Sequence, residues 1–272
     1  MQTFLFKRRS RLEGLIEDIW RWENIKHELP IARQTRLEAM DVAAKGACVC
    51  NGAWTYHVRE SLRLNHVSVK DLCRDILHAL VEGRSEQTPI IVLAGARGGE
   101  GKSLLLKALY SVFGHKHVFS TPEKGSFALL HLPGRKVAFL DEWRFSDDVL
   151  SWSAQCMWYD GSVVSVKRPQ NVPGQSGHLE YRGTAPIFVT TKLRDLENLA
   201  WWAADDPWTG EPRDAEASMI YRRLKVYEYR TRIPKPPAKT PFCARCFAQL
   251  IFHFAGYAPA DPDVTQGFPH EV

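Results

Sequence analysis

Residues 90–103 read IIVLAGARGGEGKS. The first four residues are apolar and mostly β-branched, which is typical of a strand buried on both faces of a parallel sheet. A glycine-rich loop follows, and the apolar spacing from Ser103 to Phe113 predicts a helix. This order directs backbone N–H groups and the positive end of a helix toward one point. The stretch therefore predicts a loop that binds phosphate.

The loop carries the residue types that a bound triphosphate requires. Its glycines let backbone N–H groups converge on phosphate oxygens, where a β-carbon would intrude. Lys102 is expected to reach the β- and γ-phosphates, and Ser103 is expected to hold Mg²⁺. The usual Walker A spacing has glycine six positions before the lysine, where this chain has Ala96 with Gly95 beside it. We assign nucleotide binding to Gly95, Ala96, Arg97, Gly98, Gly99, Glu100, Gly101, Lys102 and Ser103.

A second apolar strand, Val137–Leu140, ends in two acidic residues, Asp141 and Glu142. Phosphoryl transfer requires neutralised charge and an oriented nucleophile. Asp141 is expected to hold Mg²⁺, directly or through water, while Glu142 orients and deprotonates the attacking water. The alternative is an acidic turn that only ends the strand. Together with the phosphate loop, the acidic pair predicts ATP and Mg²⁺ as cofactors.

The order of elements predicts an α/β fold. Residues 187–190 (IFVT) form a third buried strand, and strands that alternate with helices indicate a three-layer P-loop NTPase domain with a mostly parallel sheet. Residues 162–167 alternate polar and apolar side chains, which predicts an antiparallel strand and half of a hairpin. Helices are predicted over residues 12–29 and 54–82, with Ser68 as an N-cap within the second.

We divide the chain into four parts. These are an N-terminal helical segment (1–45), a helical subdomain with a linker (46–88), the P-loop ATPase domain (89–232) and a short proline-rich tail with a Cys-x-x-Cys motif (233–272).

Composition limits the possible binding partners and the cellular location of this protein. The formal net charge of +5 and pI of about 8.9 fit a nucleic-acid partner without requiring one. No apolar run approaches the ~20 residues of a membrane span. Six irregularly spaced cysteines without a signal peptide predict a reducing, intracellular location. Nucleus and cytoplasm both stay open, because the basic cluster Lys7–Arg11 is either a nuclear address or a solvated helix entry.

The motifs, in this order, resemble superfamily 3 helicases, AAA+-type ATPases that include the helicase part of parvoviral nonstructural proteins and of rolling-circle replication initiators. Residues 95–103 resemble motif A, 139–142 motif B and 186–192 motif C. Residues 161–167 lie where the family has the segment before its DNA-binding hairpin. The resemblance implies an ATP-dependent helicase or translocase on single-stranded DNA or RNA, assembled as a homo-hexamer with no membrane partner.

Residues 221–226 resemble the arginine-finger segment of the same superfamily. In that family the finger reaches the γ-phosphate bound by a neighbouring subunit. The resemblance makes Arg222 and Arg223 the candidates for this catalytic role, without choosing between them. The alternative is a pair of surface arginines at the entry of a strand.

Motif C departs from the family pattern, because Lys192 stands where the family usually has asparagine. Lysine can contact a phosphate as a point charge, but it cannot accept a hydrogen bond from water as an amide can. The chain thus resembles a branch with a lysine-ended motif C and a C-terminal Cys-x-x-Cys like that in Pro241–Phe247. Two alternatives stay open: a nucleotide-dependent scaffold or assembly ATPase with slow or no hydrolysis, and a decayed remnant of a viral helicase.

Basic residues flank a turn-rich segment between the second and third buried strands. A hairpin there would present Lys167, Arg168 and His178 to the phosphate backbone of a strand in a central pore. Binding of that kind carries no sequence preference. The alternative is an ordinary basic loop.

Cys243 and Cys246 have the spacing of two zinc ligands, whereas structural zinc sites use four. Cys48 and Cys50 can complete the set, but nothing in the sequence brings them close. The sequence therefore favours a half-site, or two buried cysteines at the start of a helix.

Overall fold

The computed structural model describes residue 19 and residues 32–125, 127–168, 177–234 and 240–257. The helix predicted over residues 12–29 lies outside the described residues, apart from position 19. Nine α-helices in these ranges are α1 Arg36–Lys45, α2 Ala53–Leu64, α3 Val69–Glu82, α4 Lys102–Leu106, α5 Ala108–Phe113, α6 Trp152–Tyr159, α7 Leu193–Ala203, α8 Ala215–Arg222 and α9 Ala244–Ala255. None of them is long and apolar enough to cross a membrane.

Five strands form the central sheet, and all neighbouring pairs are parallel. The spatial order is β2-β3-β6-β1-β7, and the strands are β1 Ile90–Gly95, β2 Val118–Ser120, β3 Val137–Leu140, β6 Ile187–Lys192 and β7 Leu224–Tyr229. The two remaining strands, β4 Val163–Lys167 and β5 His178–Arg182, pair as a separate antiparallel hairpin. Because the five strands are parallel, the loops after them meet at one edge of the sheet.

Helices cover both faces of the sheet, which confirms the predicted three-layer α/β fold. Successive β1 residues point to opposite faces, so Ile91 and Leu93 enter one core while Ile90 and Val92 enter the other. The first core also contains the buried side chains of α1–α5 and α9, and the second contains those of α6–α8. All six β1 residues are buried, as expected for a central strand of a parallel sheet.

Two predicted helices are each interrupted. The helix predicted over 54–82 is divided into α2 and α3 by a turn in which His66 has a φ of 54°. Ser68 caps α3 as predicted, because its hydroxyl accepts a hydrogen bond from the Asp71 N–H at 3.2 Å. The helix after the phosphate loop is divided at Lys107 into α4 and α5.

The C-terminal segment contributes a helix to the core. In α9, seven consecutive residues from Cys246 to Phe252 are buried, and the helix packs against α3 and α1. The predicted domain boundaries stay a prediction. The core does not follow them, since residues assigned to all four parts of the chain meet in one cluster beside the sheet.

Candidate functional site

A cavity of about 250 Å³ lies at the edge of the sheet where β1, β3 and β6 end. Its walls are the loop residues 98–104, Glu142 and the end of β6, residues 190–192. The structure thus brings most of the predicted phosphate loop, the predicted catalytic carboxylate and Lys192 to one place.

Two glycines of the loop lie close to neighbouring side chains. A β-carbon on Gly95 would lie 1.9 Å from the Lys102 Nζ, so the end of the lysine side chain would have to move. A β-carbon on Gly101 would lie 2.5 Å from the Ser61 Oγ, and this residue has a φ of 92°. The Ala96 N–H instead anchors the loop to β7 through the Tyr229 carbonyl at 3.0 Å. Position 101 therefore favours glycine, both for its backbone conformation and for its close approach to α2.

The side chain of Glu100 lies fully buried inside the loop. Its Oε1 accepts hydrogen bonds from the N–H groups of Arg97 (2.5 Å) and Gly98 (2.8 Å), and its Oε2 pairs with the Lys102 Nζ at 2.9 Å. Burial raises the pKa of Glu100, but the Arg97 N–H and the Lys102 ammonium outweigh it and hold that pKa below its usual range. The lysine assigned to phosphate therefore has an anionic partner within its own loop.

Asp141 accepts three contacts from the surrounding elements. Its Oδ1 accepts from the Ser103 hydroxyl at 2.8 Å and from the Thr190 hydroxyl at 2.7 Å, while its Oδ2 pairs with the Lys107 Nζ at 3.0 Å. Burial raises the pKa of Asp141, yet these donors outweigh it and lower that pKa overall. The hydroxyl of Ser103 and the carboxylate of Asp141 are adjacent oxygen ligands of the kind that Mg²⁺ prefers, so the residues fit the predicted ion.

Glu142 has an unusual backbone conformation. Its φ is 53°, a region that non-glycine residues enter rarely and mostly where the surrounding structure enforces it. The conformation is held by a hydrogen bond from the Glu142 N–H to the Thr190 Oγ1 at 2.9 Å. The side chain is exposed and lines the cavity. A carboxylate held there is accessible to water beside the phosphate loop.

Thr190 is a site residue that the sequence analysis did not single out. Because β6 lies beside β3, the buried Thr190 hydroxyl reaches both acids that follow β3: it donates to Asp141 and accepts from the Glu142 N–H. The sequence feature that could have indicated this role is the pair of threonines, Thr190 and Thr191, near the end of an otherwise apolar strand. Lys192, two residues further, is exposed and lines the same cavity.

The sequence analysis also did not predict roles for Lys107 or for Trp54 and Ser61 of α2. Lys107 follows Ser103 by four positions, which places both on the same helical face toward Asp141. From α2, the Trp54 indole N–H donates to the Leu104 carbonyl at 3.1 Å, and the Ser61 hydroxyl donates to the Glu100 carbonyl at 2.7 Å. Helix α2 therefore holds the backbone of the phosphate loop through two side-chain hydrogen bonds.

The two candidate finger arginines lie at the opposite edge of the sheet. The Arg223 carbonyl accepts from the Ile90 N–H at 2.9 Å, next to the start of β1. A strand rises about 3.3 Å per residue, so roughly 17 Å separates this position from the phosphate loop of the same chain. The Arg223 guanidinium pairs with Asp160, whereas the Arg222 side chain is exposed. This geometry separates the two candidates, which the sequence left equivalent.

The predicted hairpin is present. Lys167 stands opposite His178 in the antiparallel register, and the Arg168 N–H donates to the Gly177 carbonyl at 2.9 Å. Val164 and Val166 are buried against the second core, so the alternate side chains of β4, including Lys167, face solvent. Residues 169–176, which connect β4 and β5 in the sequence, lie outside the described residues.

Cys243 and Cys246 are buried at the start of α9, as one of the two interpretations predicted, but the other interpretation, a zinc half-site, is wrong. The sulfurs of Cys48 and Cys50 lie with theirs in one group, all within 4.8 Å of one another. The cause is long-range packing, since α9 crosses α1 and α3 and its first turn meets the loop between α1 and α2.

Comparison with known proteins gives distant structural similarity. The chain matches no protein-family model and no curated protein. It is similar to the apo C-terminal region of NrS-1, with a TM-score of 0.43 and 14% identity over 75% of this chain and 45% of that one. It is also similar to JCV helicase bound to a thiazolopyridine acetamide, with a TM-score of 0.47 and 13% identity over 91% of this chain and 69% of that one. The chain thus spans less than half of the NrS-1 region, and we infer its chemistry from its own site.

Proposed function

We propose that this chain is an ATP-dependent translocase or helicase that acts on single-stranded nucleic acid as a ring. The observation that carries the proposal is the meeting of three groups at one cavity: the Lys102 loop, the contact of Ser103 with Asp141, and the exposed carboxylate of Glu142. A site for triphosphate, a site for a divalent cation and a general base are the parts that nucleotide hydrolysis requires.

Each side chain has a distinct role in the proposed reaction. The loop N–H groups and Lys102 hold the β- and γ-phosphates. Ser103 and Asp141 hold Mg²⁺, which supplies charge neutralisation when bound. Glu142 orients water and accepts its proton, and Thr190 keeps both acids in place through its hydroxyl. Lys192 adds a positive charge at the rim of the cavity.

The position of the arginines supports a ring. A finger must touch the γ-phosphate, and Arg222 lies too far from the loop of its own chain. A neighbouring chain in a hexamer can present its Arg222 to this cavity. The pairing of Arg223 with Asp160 favours Arg222 as the finger and assigns Arg223 a structural role.

The hairpin supports the assignment of nucleic acid as substrate. Lys167 and His178 lie side by side on its exposed face, and Arg168 follows Lys167 in the chain. Such a hairpin can hold the phosphate backbone of a strand in the centre of a ring. Because the cavity and the hairpin lie on different elements, hydrolysis and strand movement are separable by mutation.

The test is the ATPase rate of the full chain with and without single-stranded DNA or RNA. We expect stimulation by at least one of the two, and loss of stimulation in Lys167→Ala with the unstimulated rate unchanged. The exposed Lys70, on α3, provides a charge-matched control as Lys70→Ala. A rate that neither polymer changes would contradict the motor function.

A second candidate is a nucleotide-dependent scaffold that hydrolyses slowly or not at all. Lys192 favours it, because an ammonium at the cavity rim cannot accept a hydrogen bond from the attacking water. Lys192→Asn distinguishes the candidates. An increase in a very low basal rate supports the scaffold, whereas a decrease shows that the lysine serves efficient hydrolysis.

A further inference from the structure

Four cysteine sulfurs meet between the α1–α2 loop and the start of α9. The Cys246 sulfur lies 3.5 Å from both Cys48 and Cys50, those two lie 3.8 Å apart, and Cys243 lies 4.0 Å from Cys48. Zinc binds thiolates at about 2.3 Å in a tetrahedron, which sets the sulfurs roughly 3.8 Å apart. The cluster therefore has the dimensions of a zinc site with four cysteine ligands.

Disulfide bonds, clusters of several metals and hard cations all fit these four sulfurs less well than zinc. A disulfide requires sulfurs about 2.05 Å apart, and all four cysteines are free. Sulfurs that all lie within 4.8 Å of one another leave room for one ion rather than for a cluster of several metals. Four sulfur ligands in a tetrahedron suit zinc or a single iron and do not suit Mg²⁺ or Ca²⁺.

The surrounding backbone prepares these sulfurs for a cation. Asn51 and Gly52 have φ values of 48° and 81°, so the chain turns tightly just after Cys50. The backbone N–H groups of Gly52 and Cys50 donate hydrogen bonds to the Cys48 sulfur. Backbone donors of this kind orient and stabilise metal ligands from the second layer of contacts.

We propose that Cys48, Cys50, Cys243 and Cys246 together bind one structural Zn²⁺ ion. Three of the four residues are buried, and with four protein ligands no position remains for a water or a substrate. The ion closes the loop between Cys50 and Cys246, which are 196 residues apart. It therefore holds α9 against the helices that precede the sheet.

The site also has a connection to the phosphate loop. Residue 52 is followed directly by α2, and α2 contacts the phosphate loop through Trp54 and Ser61. Loss of the ion is expected to free the start of α2 as well as α9. Metal binding itself is independent of whether the cavity hydrolyses ATP.

The experiment measures metal in the full chain. Expressed and purified without chelator, the protein should contain one zinc per chain, and replacement by Co²⁺ should give the absorption of a tetrahedral tetrathiolate complex. Cys243→Ala should lose the zinc and melt at a lower temperature. Cys73→Ala is the matched control, because Cys73 is buried in the same core but lies outside the cluster. It should retain one zinc per chain.

Several results would overturn the proposal. Wild-type protein that stays free of zinc after reconstitution would do so, as would iron in its place or a cobalt spectrum of nitrogen and oxygen ligands. Equal loss of zinc from Cys73→Ala and Cys243→Ala would also overturn the proposal, because Cys73 lies outside the cluster. If Cys243→Ala fails to fold, the metal content and the cobalt spectrum of the wild-type protein still decide the question.

Discussion

Replacing Glu100 with glutamine should tighten the binding of nucleotide. The carboxylate of Glu100 is fully buried in the phosphate loop and holds the Lys102 ammonium at 2.9 Å. In the proposed site Lys102 must turn to the β- and γ-phosphates, so nucleotide and carboxylate compete for it. Glutamine retains an oxygen that can accept the N–H groups of Arg97 and Gly98, but it carries no charge to hold the lysine.

The size of the effect follows from the contact that is lost. The side chains of Lys102 and Glu100 are 12% and 0% exposed, so solvent screens the pair weakly. A hydrogen bond to a charged group contributes about 1.5–3 kcal/mol net. Since about 1.4 kcal/mol corresponds to a factor of ten, Glu100→Gln should lower the Kd for nucleotide roughly 10- to 100-fold.

Isothermal titration of Mg-ADP into each variant measures the effect directly. Glu60→Gln, on the outer face of α2 and paired with Arg63, changes the net charge equally and should leave the Kd unchanged. Glu100→Ala removes the acceptor as well as the charge, and it should loosen the loop. An unchanged or higher Kd in a Glu100→Gln protein of wild-type stability would refute the competition between carboxylate and nucleotide.

Four further predictions concern the phosphate loop, the general base and the two arginines. Lys102→Ala should abolish nucleotide binding or hydrolysis, and an ATPase rate equal to wild type would show that the loop is not the site. Glu142→Gln should still bind Mg-ATP while hydrolysing it ~10²-fold more slowly, because an amide cannot accept the proton; parallel losses of binding and turnover would contradict a role as base. Arg222→Ala should keep nucleotide affinity but lose ~10³-fold in rate, and mixing it with Lys102→Ala chains should restore some activity. Arg223→Ala should instead lower the melting temperature, since it breaks the pair with Asp160.

Sequence was sufficient where local pattern decides structure. Continuous apolar runs identified β1, β3 and β6, and parallel strands necessarily end at a common edge. The phosphate-loop and acidic motifs predict Lys102 and Asp141 in one site, and the resemblance of residues 186–192 to motif C adds Lys192 to it. The alternation of residues 162–167 likewise indicated β4, and Ser68 indicated the start of α3.

Sequence was insufficient where distant segments meet. The inward turn of Glu100 depends on backbone N–H groups whose directions are set by three-dimensional loop geometry. The approach of Cys48 to Cys246 depends on α9 packing across α1 and α3, for which no periodic pattern specifies a partner. Likewise, only the sheet order shows that Arg223 lies beside the start of β1.

Because α9 completes the core around α3, this core cannot finish folding until the ribosome has synthesised α9. Leu72, Ile76 and Leu80 of α3 belong to the core that α9 completes. At about 5–20 residues per second, translation needs roughly 10–40 s to pass from Cys50 to the 196th residue after it. During that interval the nascent chain presents an uncovered apolar face, which attracts chaperones or other nascent chains. Premature termination before Ala244 leaves that face exposed permanently, so such truncated chains should aggregate even though their sheet is complete.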